Sequence, residues 1–422
     1  MQKLNPLYLF LISNNLIRKI AKGLVAAICL SLFIYLYHFG VRNIWVYTIL
    51  GIFSLFYYLK SDRSYRFFFG FFVGILWFYW VPFSFRFFGV DYLIPLAVVG
   101  IGIFYGLLFY IVLYFQNVWY RAILLFFLPY FAPFGFDWLN LRAAFVLTPL
   151  NISNIGYALI ILSIVLMVHL KGSYRLLSVL VLIFSLLLFP KPEAIPSPPI
   201  KIEIVSTDIP QGMRWQKDNT DIIENNFKYI DEAILANQEV VILPETAFPM
   251  NLEYDKNLVQ RLLQKSKSIA IVTGAIYITE INNKKETFNS LYVFNNGRMQ
   301  RVDKSVLVPF GEYMPMPLFL KEQLLKFLNI GEFRAGKTPP IDIQIGGELF
   351  RMAICYEATQ EKFFINSPKY MIAISNNAWF TPSIQPSLQE LLMLMWGKIY
   401  QTMIFHSSNG AESLVLIPHL EG

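Results

Sequence analysis

Seven apolar runs crowd the first 190 residues, at 23–39, 44–59, 67–85, 92–115, 122–136, 155–170 and 174–189. A helix takes about 20 residues to cross a hydrocarbon core about 30 Å thick, so runs of this length predict a multi-span α-helical membrane bundle over residues 1–190, with about seven helices. Helices are the natural reading because lipid offers no partner to an unpaired backbone N–H or C=O. Basic residues from Arg18 to Lys22 precede the first run, as in a secretory signal. No small-x-small cleavage site follows, and Tyr37, His38 and Phe39 are bulky, so the run reads as an uncleaved anchor.

Charge divides the chain at Pro190. Before it stand 13 Lys and Arg against three acids, Asp62, Asp91 and Asp137; of the totals of 35 and 28, that leaves 22 basic and 25 acidic residues beyond. The net +7 is therefore an excess of ten on the first half and a deficit of three on the second. Lys3, Arg18, Lys19, Lys22, Lys60, Arg63, Arg66, Arg121, Lys171 and Arg175 fall on the side of the N-terminus, and Arg42, Arg86 and Arg142 on the other. The positive-inside rule then places the N-terminus in the cytoplasm, and an odd number of spans puts everything after Pro190 outside it. No basic face follows Pro190, so a nucleic-acid partner is not expected. The apolar half lacks the mid-span charges of a transporter, since Asp91 and Asp137 lie near predicted helix ends.

Residues 191–199 carry four prolines, which cannot continue a helix and predict an extended linker. Beyond it the period changes. Short β-branched or aromatic runs at 200–205, 240–243, 269–276, 290–294, 349–354 and 370–375 alternate with helical patterns at 220–236, 255–267 and 387–403. Residues 200–422 thus read as an α/β domain, with a hairpin at Asn295-Asn296-Gly297 that makes the sheet mixed. Ser387 and Glu390 have capping-box spacing at the start of the last helix.

Two cysteines, Cys29 in an apolar run and Cys355 beyond the linker, have no common domain in which to pair. Cys355 is either a buried inert thiol or one kept for chemistry. It stands at the end of the strand run 349–354, Glu245 at the end of 240–244, and Lys304 just after Arg298–Val302. Three strand ends that converge on one rim bring complementary groups together: a carboxylate takes the thiol proton, the thiolate attacks a carbonyl, and the ammonium steadies the oxyanion. Taken singly, Glu245 also reads as a capping or surface carboxylate and Lys304 as a solvated loop charge. The four histidines, His38, His169, His406 and His419, are scattered, so no metal is expected, and no Gly-rich phosphate loop or other cofactor motif is present.

At Glu245, Lys304 and Cys355 the sequence resembles the nitrilase, or carbon-nitrogen hydrolase, superfamily. With the bundle before them, they resemble the apolipoprotein N-acyltransferase family. The stretches that carry this are Leu243-Pro-Glu-Thr-Ala-Phe-Pro249, Asp303 through Pro315, Cys355-Tyr-Glu357, Ser375-Asn-Asn-Ala-Trp-Phe380 and Asp208-Ile-Pro-Gln-Gly-Met-Arg-Trp215. The resemblance implies an αββα nitrilase-like domain with Glu245 as general base, Lys304 as oxyanion cation and Cys355 as nucleophile. It implies supporting or substrate-binding parts for Glu312, Tyr356, Glu357, Trp215 and Trp379. Trp215 alone also reads as a core or interface aromatic. The implied reaction moves an acyl chain from a phospholipid, through a Cys355 thioester, to the N-terminal amine of a diacylglyceryl-cysteine on an apolipoprotein, the last step of bacterial lipoprotein maturation. The implied setting is the bacterial inner membrane with the catalytic domain on the periplasmic side, as a monomer.

An amphipathic stretch at 314–330 reads either as an interfacial arm or as a helix packed on the sheet. The family's arginine-rich helix after the cysteine is not matched at 393–400 or 405–413. The family commonly carries one more span at its C-terminal end, whereas this sequence runs out at Leu416–Gly422. Two alternatives remain open on residues alone: a membrane-tethered amidase with the same triad, and an inactive lipoprotein-binding scaffold.

Overall fold

The computed structural model describes residues 6–188, 194–214, 219–315, 317, 319, 321–323, 331–337 and 340–418, with side chains from residue 14 onward. Trp215, His419 and most of the 314–330 stretch lie outside the described residues. The chain divides into two compact units. The second contains not only the residues beyond the linker but also two short pieces of the first half, Ser84–Asp91 and Pro133–Phe136.

The first unit is helical: α1 (Pro6–His38), α2 (Ile44–Lys60), α3 (Arg66–Phe78), α4 (Ile94–Val112), α5 (Val118–Phe127), α6 (Asn154–His169) and α7 (Leu176–Leu188). Polar side chains start several of them, where the first N–H groups lack helical partners. Asn43 accepts from the Trp45 and Val46 amides, Asn117 from Trp119 and Ser153 from Gly156. Gly70 on α3 allows α4 to approach so closely that a Cβ there would lie 2.2 Å from the Tyr105 carbonyl oxygen. Close approach through small residues replaces the hydrophobic drive that lipid cannot supply.

By length and composition, three helices among the described residues suffice to cross a membrane: Asn14–His38, Asp91–Val112 and Val118–Gly135. The pair Ile44–Lys60 and Arg63–Phe78, bent by 95°, makes a fourth if it is one broken span. The number is smaller than that of the seven described helices because α3, α6 and α7, of 13, 16 and 13 residues, are shorter than the roughly 17–25 of a crossing and α2, of 17, is at its lower limit. Helix α5 reaches 18 only with the turns that continue it to Gly135.

Arg121 ties this unit together. It is 4% exposed, and its guanidinium donates to the carbonyls of Leu59 at 3.0 Å, Ser61 at 2.5 Å, Leu113 at 3.4 Å and Phe115 at 2.6 Å. These carbonyls lie at the C-terminal ends of α2 and α4, where orphan acceptors and the negative end of the helix dipole both favour a cation. Arg121→Ala is expected to destabilise the protein by about 3 kcal/mol, since it strands several buried acceptors at once. Thermal unfolding in detergent measures this, and an unchanged midpoint would refute the assignment.

The second unit is a sandwich. Its first sheet runs β1 (Ile202–Ile204), β2 (Val240–Ile242), β4 (Ala270–Ile281), β5 (Lys284–Asn295) and β6 (Arg298–Asp303), with β3 (Phe248–Asn251) paired to β4. The second runs β11 (Leu414–Leu416), β10 (Met403–Asn409), β9 (Tyr370–Asn376), β8 (Glu348–Ile354) and β7 (Asp342–Ile345). Alternate residues of both sheets, including Val240, Ile242 and Val272 from one and Met352, Ile354 and Ile372 from the other, share one buried core. The outward residues of the first sheet, such as Val241, Ile271 and Tyr292, meet Phe227 and Ile230 of α8 (Thr220–Leu235) and Leu258 and Leu262 of α9 (Lys256–Lys265). Helix α10 (Gln385–Tyr400) adjoins β10, β11 and the turn after β8. This is the αββα nitrilase-like arrangement.

Helix α10 begins two residues before the expected Ser387, with Ile384 at its N-cap and Pro386 in its first turn. The N-cap residue has no side-chain acceptor, and Ser383 Oγ accepts from the Gln385 amide at 3.1 Å instead, so the Ser387/Glu390 spacing does not mark the helix start. Proline's fixed φ suits the first helical turn and sets the start instead. The same helix stops at Gln401 in a left-handed conformation, which frees 403–409 to form β10 where the periodicity continued a helix to Met403.

Candidate active site

Strands β2 and β4 run parallel, as do β8, β9 and β10, and β6 returns in the direction of β4 through β5. Their C-terminal ends are where ligands enter α/β sheets. Glu245, Lys304 and Cys355 each follow one such end, and all three line one cleft of about 900 Å³ including its open mouth.

The charged centre is Lys304, 1% exposed. Its Nζ lies 2.8 Å from Glu312 Oε2 and 3.7 Å from Glu245 Oε1. Burial opposes a charge on this lysine, but the carboxylates of Glu312 and Glu245 outweigh it and hold its pKa above the ordinary lysine value. Lys304 is therefore not a solvated loop charge, and Glu245, 6% exposed, is not a surface carboxylate. Glu312 further accepts from the Val308 amide at 2.8 Å.

Cys355 opens a 3-10 turn, Cys355–Thr359, with φ of 54°, a left-handed conformation that a non-glycine residue adopts only when its surroundings compel it. Burial and the charge of Glu245 push the thiol up to about 12, with Lys304 acting against them. At neutral pH the thiol is protonated, and a base must take its proton as it reacts. Glu245 lines the same cleft, and the cluster of two carboxylates, one ammonium and one thiol would keep the same total charge if a proton passed from Cys355 to Glu245.

The remaining candidates are distributed differently. Trp379 lines the cleft and meets Phe87 edge-on at 5.2 Å and Phe88 at 6.1 Å. Tyr356 is fully buried; its hydroxyl donates to the Gly135 carbonyl at 2.8 Å and its ring stacks on Phe136. It anchors the Pro133–Phe136 piece to the turn after Cys355 and is not among the described cleft-lining residues. Glu357 is likewise buried. It accepts from the Ser305 amide at 2.6 Å, the Ser305 hydroxyl at 2.9 Å, the Val306 amide at 3.1 Å and the Ile354 amide at 3.0 Å. This carboxylate fastens the loop after Lys304 to the strand end before Cys355.

The N-terminal half matches the apolipoprotein N-acyltransferase integral membrane domain over residues 17–188, and the second half matches the carbon-nitrogen hydrolase family over 206–400. An apolipoprotein N-acyltransferase of Wolinella succinogenes is 43% identical over 94% of this chain and 95% of its own. The chain belongs to the apolipoprotein N-acyltransferase family. Members from Helicobacter hepaticus and Campylobacter jejuni are each 36% identical, over 88% and 96% of this chain and 93% and 91% of theirs. Among solved structures, a mutant of the Nesterenkonia AN1 amidase from the nitrilase superfamily aligns with a TM-score of 0.40 and 12% identity, over 53% of this chain and 85% of that one.

Asn289 carries no sequence signal of its own, and Asn376 and Arg214 lie inside the quoted stretches without being singled out there. Asn289 Nδ2 donates to Glu245 Oε1 at 2.6 Å and to Glu312 Oε1 at 2.8 Å, so one carboxamide sets the spacing of both carboxylates around Lys304. The Asn376 amide donates to Glu245 Oε2 at 2.7 Å. Buried Arg214 donates to the carbonyls of Glu245 and Thr246, both at 2.8 Å, and so supports the left-handed Thr246 at φ 55°.

Gly274 on β4 faces this same bend. A Cβ there would lie 2.4 Å from the Thr246 nitrogen and 2.7 Å from Glu245 Cα. Backbone cannot retreat as a flexible side chain can, so Gly274→Ala is expected to displace Glu245 and cost about 1–3 kcal/mol of stability. Cys355 acylation should fall with it. Normal acylation with a normal unfolding curve would show that the bend relaxes without consequence.

Proposed function

We propose that this chain is a phospholipid:apolipoprotein N-acyltransferase that works through a thioester on Cys355. The observation that carries the reading is the buried cluster in which Lys304 lies between Glu312 and Glu245 in the cleft lined by Cys355. In the first half-reaction Glu245 takes the Cys355 proton, sulfur bonds to the ester carbonyl carbon, and Lys304 faces the oxyanion. The C–O bond breaks, and the departing lysophospholipid alkoxide receives the proton from Glu245. In the second, the α-amine of a diacylglyceryl-cysteine bonds to the thioester carbon and yields its proton to Glu245, the C–S bond breaks, and Glu245 returns that proton to the Cys355 sulfur. Glu312 positions Lys304, Glu357 and Tyr356 hold the turn that carries Cys355, and Trp379 contributes an aromatic wall for the acyl chain. Trp215 belongs to the same substrate-binding set by its matching motif.

The excess of basic residues on the N-terminal side of the apolar runs supports a bacterial inner-membrane protein with its catalytic domain on the periplasmic side. We assign residues 1–190 to the membrane part, 191–199 to the linker and 200–422 to the catalytic part, with Ser84–Asp91 and Pro133–Phe136 joining the latter. Both substrates are lipids, and a site that excludes water spares the thioester from hydrolysis. The enzyme is read as a monomer.

Mass spectrometry of the full-length protein after incubation with phospholipid alone tests the reading. An acyl mass on Cys355 is expected, and its transfer to a diacylated lipopeptide should follow. Cys355→Ala provides the blank. A folded protein that gains no adduct, or that releases only free fatty acid when given lipopeptide, overturns the proposal.

A further inference from the structure

A polar chain on α10 and the second sheet reaches the sulfur of Cys355. Gln389 is fully buried, and its Nε2 donates to Cys355 Sγ at 3.9 Å, within the longer range of contacts to sulfur, and to Ser375 Oγ at 3.1 Å. Ser375 Oγ lies 2.9 Å from His406 Nε2, and both residues are buried. At the other end of the carboxamide, Gln385 Nε2 approaches Gln389 Oε1 at 3.4 Å and donates to Asn377 Oδ1 at 3.2 Å, while Asn377 Nδ2 donates to Ser408 Oγ at 3.1 Å.

We propose that Gln389 is a further catalytic residue, whose carboxamide N–H stabilises the Cys355 thiolate and is aimed at it by Ser375, His406 and Gln385. The inference rests on the reading of Cys355 as nucleophile.

The polarity of the chain follows from its partners. Gln389 Oε1 is occupied by an N–H from Gln385, so the two N–H groups of Gln389 must point at sulfur and at Ser375. Ser375 accepts from Gln389 and keeps its own proton for His406 Nε2, provided that nitrogen carries a lone pair. Burial draws His406 down to about 4, so the ring is neutral at working pH, and in the tautomer that carries its proton on Nδ1 the Nε2 lone pair accepts from Ser375. Charging the ring would turn Nε2 into a second donor to Ser375 and remove the reason for the hydroxyl to point at it.

A carboxamide N–H is a weak partner for a neutral thiol or thioester sulfur and a much stronger one for a thiolate. Its effect is therefore felt where sulfur is negative, which is during attack on the ester and again during expulsion by the amine. Lys304 cannot supply this alone, because Glu312 and Glu245 already engage its charge. The proton and bond changes of both half-reactions are unchanged; Gln389 contributes only hydrogen bonding to sulfur.

The test is the rate of Cys355 alkylation by iodoacetamide, read by peptide mass spectrometry in the detergent-solubilised full-length protein between pH 7 and 10. This needs no lipid, so it judges the Gln389–sulfur relation even if the acyl-transfer reading fails. Below the thiol pKa the rate follows the thiolate fraction, so raising that pKa by one unit lowers the rate tenfold at every pH. Gln389→Met keeps the side-chain length without a donor; an alkylation rate about tenfold below wild type is expected, together with slower acylation at an unchanged apparent phospholipid affinity. Ser375→Ala removes one buried oxygen and should shift the rate in the same direction by a smaller factor. If Gln389→Met does not fold, Ser375→Ala decides alone. Alkylation within twofold of wild type in the folded Gln389→Met protein, or in Ser375→Ala where that variant decides, overturns the proposal.

Discussion

Glu245→Gln is expected to slow Cys355 acylation by about 10²- to 10⁴-fold while leaving phospholipid binding close to wild type, the range for loss of a general base. The substitution keeps the shape of the side chain, so nothing in the cleft needs to move to admit the lipid. What changes is the capacity to accept. Both oxygens of Glu245 are in use, one by the Asn289 carboxamide and the other by the Asn376 amide. A glutamine has one oxygen for these two donors, and its NH2 would face an N–H wherever it turned. The thiol, pushed up to about 12, would then have no acceptor for its proton at neutral pH. Single-turnover acylation measured beside equilibrium phospholipid binding separates the two quantities. An equal loss in both would mean that Glu245 holds substrate and does not act as the base.

Lys304→Met is expected to abolish measurable acylation and to lower stability by about 3–5 kcal/mol, the usual consequence of removing one partner from a buried ion cluster. Two effects combine. Loss of an oxyanion partner alone costs about 10²- to 10³-fold. In addition, Glu245 and Glu312, both bonded to Asn289, would face each other without the intervening cation, and one of them would take up a proton. The sign of the pH dependence follows from the direction of the lysine's shift. A group held above its ordinary value, about 10.4 for lysine, contributes its full stability below that value and loses it only as pH rises further. The stability gap between wild type and Lys304→Met should therefore be unaffected by this lysine's titration between pH 6 and 10 and narrow above that. Denaturant unfolding at a series of pH values checks it; a gap that closes between pH 6 and 8 would show that the cation is not held as its two carboxylates require.

Much of the site was readable residue by residue, because chemistry-bearing side chains at strand ends leave a local mark. Glu245, Lys304 and Cys355 each follow a short apolar run, and the structure brings all three to one cleft. Tyr356 and Glu357 were singled out with them, yet their work is to hold the Pro133–Phe136 piece and the loop after Lys304, a distinction that adjacency to Cys355 cannot reveal. Asn289 and Gln389 are single uncharged residues inside regular elements, and nothing about a lone carboxamide announces its partners.

The sequence by itself determined the apolar helices of one half, the strand-and-helix alternation of the other, and which strand-end side chains were candidates for the chemistry, because periodicity and composition are local properties of the chain. Only the tertiary structure decided how many helices are long enough to cross a membrane and that Ser84–Asp91 and Pro133–Phe136 join the C-terminal unit. It alone decided that α10 starts at Gln385, ahead of the Ser387/Glu390 spacing, and that Gly274 must lack a side chain where β4 meets the Glu245 bend. The Gly274 packing and the joining of the two short pieces depend on contacts between residues tens to hundreds of positions apart, and a hydrogen bond such as that from Asn376 to Glu245, 131 residues away, exists only once both strands are in place.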